Sequence, residues 1–149
     1  MLHIQPPKEY TGKDKSLFLA GTITGAPNWQ ATMVDLLRNE KIVLLNPRRD
    51  NFPINDPNAA EEQIKWEHRH LRKADAVLFW FSPETLNPIV LYELGAWSMT
   101  QKPIFVGVHP EYKRRKDVEV QTTLARPDVK IVYTLDSLAE QTRNWINEK

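Results

Sequence analysis

Cysteine is absent from these 149 residues. That removes disulfides, thiol catalysis and cysteine-ligated metals together. No apolar run approaches the ~20 residues of a membrane-spanning helix. The start, M-L-H-I-Q-P-P-K, lacks a basic segment followed by an apolar one, so no signal peptide is expected. Charge of one sign is lacking too: 20 Lys and Arg stand against 19 Asp and Glu, a net +1. So small an excess draws the chain neither to nucleic acid nor to a membrane surface. Glycine is scarce, and the loop G-T-I-T-G-A-P-N is too poor in it for G-x-G-x-x-G. It also lacks the Lys-Ser/Thr of a P-loop, so neither a dinucleotide nor a nucleoside triphosphate is indicated, and no cofactor is expected. What remains is ordinary for a soluble, cytoplasmic globular protein: 26% charged and 41% hydrophobic residues, enough for one domain with a core.

Periodicity divides the chain. Residues 1–15 are polar, hold two prolines and read as an irregular lead-in. Short apolar strands are expected at Ser16 to Ala20, Ile42 to Leu45, Ala76 to Phe81, Pro103 to Val108 and Val129 to Tyr133. Between them lie helical patterns. Trp29, Met33, Leu36 and Leu37 share one face; a second helix runs from about Asn58 to Lys73 with Ala60, Ile64 and Leu71 inward; a third follows Asn87. Residues 109–127 read as a long polar connection with one helical turn near Val120 to Leu124, and Asp136 to Asn147 as a closing helix. Strands alternating with helices imply an α/β fold with a five-stranded, parallel, doubly wound sheet, in the flavodoxin-like order 2-1-3-4-5. Ligands in such sheets bind at the strands' carboxyl ends where the order reverses. Gly21 to Asn28, Asn46 to Phe52 and Ser82 to Glu93 should converge there.

Two carboxylates are misplaced against this pattern. Asn87 suits an N-cap and Pro88 the first helical position. Glu93 then falls among Ile89, Val90, Leu91, Leu94, Ala96 and Trp97, where an unpaired charge is costly. Glu67, three after Ile64 and four before Leu71, sits on the expected buried stripe. Each has a plainer explanation: Glu93 in an ion pair with Lys102, Glu67 at a helix edge beside Arg69 or Arg72.

Other polar clusters weigh less. Asp75 fits a helix-to-strand junction better than catalysis. Asn46, Arg48, Arg49 and Asp50 suit either a polar ligand or local pairing in a solvated loop. His68 and His70 are two apart and point to different helix faces, which argues against a metal site. Lys113 to Lys116 reads as a solvated basic loop. Trp29, Trp97 and Trp145 fit core faces, whereas Trp66 and Trp80 could equally floor a pocket for a flat heterocycle.

F-L-A-G near the start, N-P-R-R-D-N-F-P, Q-I-K-W-E, and the run from A-D-A-V-L-F-W-F to L-Y-E-L-G resemble the nucleoside 2-deoxyribosyltransferases, most of all the nucleoside 2-deoxyribosyltransferase-like branch. The resemblance covers about Ser16 to Val108 and implies a five-stranded flavodoxin-like fold. It also implies a glutamate nucleophile, which maps onto Glu93, attacking C1′ of a 2′-deoxyribonucleoside to form a covalent deoxyribosyl-enzyme. A second nucleobase then takes the sugar. The leaving base needs a proton, and the nearest counterpart of the family's acid is Glu67, with Asp50 as the other carboxylate suited to contact the base. The converging segments supply the expected substrate contacts: Gly21, Thr22, Ile23, Asn46, Arg48, Asp50, Phe52, Ser82 and Asn87, with Phe18 and Trp66 beside them. Two positions depart from the better-known members. Asn87 stands where they carry an aspartate that binds sugar hydroxyls, and Phe18 where they carry a tyrosine that orients the nucleophile, a task that would fall to Tyr92 or to no residue. The resemblance implies a homo-oligomer, at least a dimer, in which a neighbouring subunit completes the sugar pocket, with His109 to Gln121 as donor of those contacts.

Three functions follow in order. The first is deoxyribosyl transfer between 2′-deoxyribonucleosides and free nucleobases. The second is N-glycoside hydrolysis of a nucleoside or its 5′-monophosphate, with Arg48 and Arg49 on the phosphate. The third is a non-catalytic nucleotide-binding module, since fold does not fix function; a flavin-binding protein is a weaker option.

Overall fold

The layers follow from alternation inside two apolar runs. In β2 (Ser16–Gly21) and β4 (Ala76–Phe81), Leu17, Leu19, Ala76, Leu78 and Trp80 point to one side of a sheet. Phe18, Ala20, Val77, Phe79 and Phe81 point to the other. Both sets are buried, so these are central strands covered on both faces. The computed structural model describes residues 1–149 and completes the sheet with β1 (Leu2–Ile4), β3 (Val43–Leu45) and β5 (Ile104–Val108). Every pairing is parallel, in the order β1-β3-β2-β4-β5. The α/β, flavodoxin-like class expected from the sequence is the class observed.

Five helices cover the faces: α1 (Trp29–Leu36), α2 (Ala59–Lys73), α3 (Pro88–Ser98), α4 (Arg115–Ala125) and α5 (Leu135–Ile146). Trp29, Met33 and Leu37 from the α1 region and Leu138 and Ala139 from α5 fill the Leu17–Leu19 side. Trp66 and Leu71 from α2, Val90 and Leu94 from α3, and Val118 from α4 fill the Phe18–Phe79 side. No helix is long and apolar enough to cross a membrane.

Four details differ from the sequence reading. Within the lead-in, residues 2–4 form the edge strand β1, with Leu2 opposite Val43 and Ile4 opposite Leu45. Three residues with only Ile4 buried leave no readable period. The strand expected at Val129 to Tyr133 is a single bridge from Gly107 to Val132. A turn takes its first residues: Arg126 grips the Asp128 carboxylate, and the Val129 N–H bonds Arg126 O. The single turn expected near Val120 is instead the 11-residue helix α4. It buries only Val118 and Thr122, too thin a stripe to read, and is supported by the Arg114–Asp117 and Arg115–Glu119 ion pairs.

The fourth difference bears on the site. The buried face of α2 is Ala59, Trp66, His70 and Leu71, while Ile64 is 66% exposed and Ala60 is exposed. His70 hides this face because it is polar, yet both its nitrogens are satisfied. Nδ1 donates to Trp66 O at 2.8 Å, Nε2 accepts from the Tyr10 N–H at 3.0 Å, and the ring stacks on Trp66. The helix is therefore rotated from the expected stripe, which leaves Glu67 at the edge of the buried face rather than its centre.

Candidate active site

β2 and β4 are neighbours, and the order reverses between them. Gly21 pairs with Trp80 at their carboxyl ends, so the loop after β2 and the turn after β4 leave the sheet side by side. A cavity of about 720 Å³ opens there, a size usual for small-molecule sites. Gly21 to Thr24 form one wall. Ile64, Glu67, His68, Leu71 and Arg72 of α2 form a second; Thr85, Asn87 and the α3 residues Pro88, Ile89, Val90, Tyr92, Glu93, Ala96 and Trp97 form the third.

Close approach of chain to chain sets the first wall. A Cβ on Gly21 would stand 2.2 Å from Trp29 Cζ2. The Trp29 indole N–H in turn bonds Thr22 O at 3.2 Å, and Gln30 Nε2 reaches the same carbonyl at 3.4 Å. The third wall depends on Asn87, which takes the left-handed conformation at φ 54°. Its side chain does not cap α3, as the sequence suggested, but turns back on the β4–α3 turn. Nδ2 donates to Ser82 O and Thr85 O, each at 3.1 Å, and Oδ1 accepts from Thr85 Oγ1 at 3.1 Å. Thr85 Oγ1 also meets Thr22 Oγ1 at 3.2 Å, tying the first wall to the third. Pro88 then starts the helix that carries Glu93.

Glu67 and Glu93 line this cavity from separate helices. None of the ion pairs in the chain includes either. Lys102, the plain partner for Glu93, instead donates to Leu71 O and Arg72 O at the end of α2 and lies over the Trp97 ring. Burial pushes the Glu67 carboxyl up to about 7, opposed by the Gln63 amide beside it. Burial pushes Glu93 up to about 8, and the charge on Glu67 adds to the rise. Two such carboxyls in one cleft are positioned for acid–base and nucleophilic work near neutral pH.

Of the residues singled out in the sequence, Gly21, Thr22, Ile23, Glu67, Asn87 and Glu93 meet at this cavity. The others do not line it. Phe18 and Trp66 are sealed in the core, Trp66 with its N–H on Lys8 O. Asn46 is buried against His3 and the Arg48 N–H. Arg48 clamps the loop before α1, through Pro27 O, Ala26 O and Gln30 Oε1. Asp50 and Phe52 lie exposed on the 46–52 loop, Phe52 beneath Arg49. Ser82 is buried with its hydroxyl unbonded. Thr24, Thr85, Tyr92 and Trp97 line the cavity without having been singled out for binding. Spacing alone could have flagged Trp97, one helical turn beyond Glu93.

A parallel sheet of this order, with paired carboxyls at its switch point, defines a flavodoxin-like α/β protein with an enzyme-like cleft. Residues 14–112 match the nucleoside 2-deoxyribosyltransferase like family, and the chain belongs to it. A conserved protein from Enterococcus faecalis V583 has a similar structure, with a TM-score of 0.65 over 88% of this chain and 98% of that one. At 15% identity that likeness speaks for the fold alone. No curated protein matches the chain.

Proposed function

We propose that the protein transfers 2-deoxyribose between nucleobases, with Glu93 as nucleophile and Glu67 as proton donor. The observation that carries this reading is the placement of both carboxyls, unpaired and resistant to ionisation, on one cavity at the sheet's switch point. Membership of the family supports the same chemistry.

In the first half-reaction the ionised Glu93 oxygen bonds to C1′ as the C1′–N bond breaks. The electron pair leaves with the base, which takes the proton of Glu67. In the second, an incoming base gives its proton to the Glu67 carboxylate and attacks C1′, expelling Glu93. Two displacements give net retention. The chemistry needs one proton on the pair, placed on Glu67. In the free protein Glu93 has the higher value, about 8 against about 7, so the lone proton rests there. Positive charge developing at C1′ beside Glu93 moves it to Glu67. The aromatic and apolar lining (Trp97, Tyr92, Ile23, Ile64, Ile89) suits a flat heterocycle. The reading includes assembly of at least two copies around the cavity, supported by the exposed Ile89 and Tyr92 of α3 and Met99 just past its end.

Mass spectrometry of protein incubated with 2′-deoxyinosine or thymidine tests the proposal. The expected result is a deoxyribosyl adduct on the peptide holding Glu93, absent from Glu93→Gln, and a new nucleoside once a second base is added. Free sugar regardless of the second base would make the protein a hydrolase. No adduct and no turnover on any nucleoside would leave a binding module.

A further inference from the structure

The hydrogen bonds along one lip of the cavity run in a forced direction. Asn87 Nδ2 lies 3.1 Å from both Ser82 O and Thr85 O, which accept only, so the amide cannot be turned the other way. Oδ1 is therefore the atom 3.1 Å from Thr85 Oγ1, and it too accepts only. The single Thr85 hydroxyl proton is committed to it. At the 3.2 Å contact between Thr85 Oγ1 and Thr22 Oγ1, Thr85 must accept and Thr22 must donate. That uses the only proton Thr22 has. Thr22, which lines the cavity, is left with lone pairs on its Oγ1 and no hydrogen to give.

Two further facts make this oxygen a fixed feature. Its backbone is held from behind, because Thr22 O takes hydrogen bonds from Trp29 Nε1 and Gln30 Nε2. Asn87, though it lines the cavity, is 2% exposed, and its amide nitrogen and its oxygen are both engaged within the chain. The residue whose position suggests sugar binding is thus occupied elsewhere, and its hydrogen bonds lead through Thr85 to Thr22.

We propose that Thr22 binds a sugar hydroxyl of the substrate by accepting its O–H, with Thr85 and Asn87 as positioning residues that fix this polarity. The inference rests on the reading that the cavity takes a 2′-deoxynucleoside. It adds a selectivity. A ligand with O–H at this point is accepted, whereas an ether or fluorine there sets acceptor against acceptor and is refused.

The test measures equilibrium binding to Glu93→Gln protein, in which turnover is blocked, with and without Thr22→Val. The ligands are 2′-deoxyadenosine, its 3′-deoxy analogue and its 5′-deoxy analogue. With Thr22 present, loss of one of the two hydroxyls weakens binding about tenfold. Thr22→Val weakens the parent ligand by a similar factor and leaves binding of that one analogue unchanged. A purely structural role for Thr22 would weaken all three ligands alike, and that result overturns the proposal, as does no effect on any. Thr85→Val gives a second reading, since it releases the Thr22 proton. A ligand bearing 3′- or 5′-O-methyl at the sensitive position should then bind better than it does with Thr85 in place; no gain counts against the forced direction. A Glu93 adduct together with equal losses across the ligands refutes the role of Thr22 alone. No adduct and no nucleoside binding removes the reading beneath it as well.

Discussion

Glu67 on α2 and Glu93 on α3 share one cavity, and charge on the first raises the pKa of the second. Stability should therefore fall with rising pH. A carboxyl whose folded pKa is raised above its unfolded value binds more protons folded than unfolded. Its contribution is complete below about 4.5 and is lost as pH rises through about 7 for Glu67 and about 8 for Glu93. Burial of His3 acts with opposite sign, but only below its ordinary value of 6.5. Urea unfolding from pH 6.5 to 9 isolates the pair. The expected loss is about 1–3 kcal/mol, below the full ~1.4 kcal/mol per unit per group because both residues are partly exposed. Glu67→Gln removes one titration and the repulsion, so the loss should be smaller and Glu93 should titrate lower. A flat profile in the parent protein contradicts the burial of the pair.

Activity should trace a bell over the same range. In the proposed mechanism one proton on the pair is the working state, so turnover should fall when a second is added and when the last is removed. The rate of 2′-deoxynucleoside turnover should peak between about 7 and 8, the values to which the two carboxyls are pushed. Glu67→Gln should slow the reaction by about 10²–10⁴-fold and flatten the basic limb. A basic limb unchanged in that variant would take the acid role away from Glu67.

Asn87→Asp should destabilise the protein and leave turnover no higher. Asn87 Nδ2 serves two carbonyls, Ser82 O and Thr85 O. A carboxylate there would face both with no proton to give, in a site only 2% exposed. The cost expected is about 1–3 kcal/mol, read as a lower melting temperature. A variant as stable as the parent would mean that the turn is not held by this amide.

Much of this was legible in the residues. The strand at Ala76–Phe81 and the helix carrying Glu93 follow from an all-apolar run, Asn-Pro and a carboxylate among aliphatics. Glu67 was legible by the same misplacement, although the stripe used to find it was turned. The residues lining the cavity were harder. Arg48 and Asn46 sit in a loop that looks made for a polar ligand, yet their donors are used by neighbouring carbonyls and side chains. A basic or amide residue reads the same whether its hydrogen bonds go to a ligand or to its own fold. Thr85 posed the reverse problem, since nothing in S-P-E-T-L-N marks its hydroxyl as a link between two walls. Such contacts join residues 63 apart and have no period to betray them.

Gly21→Ala tests whether the first wall is as tightly set as its geometry requires. Gly21 ends β2 in ordinary backbone conformation, so the need for glycine is one of space. An added Cβ would meet the Trp29 ring at 2.2, 2.6 and 2.8 Å from three of its atoms. The ring is 4% exposed and fixed by its bond to Thr22 O, so it cannot simply swing aside. Either the indole shifts and releases Thr22, or the strand end moves away from Trp80. Both cost about 1–3 kcal/mol, as overpacking does. Both also displace the wall that carries Thr22 to Thr24. The expected outcome is a lowered melting temperature, altered tryptophan fluorescence and a weaker KM for the nucleoside. Full stability with unaltered fluorescence would show that the wall yields without strain.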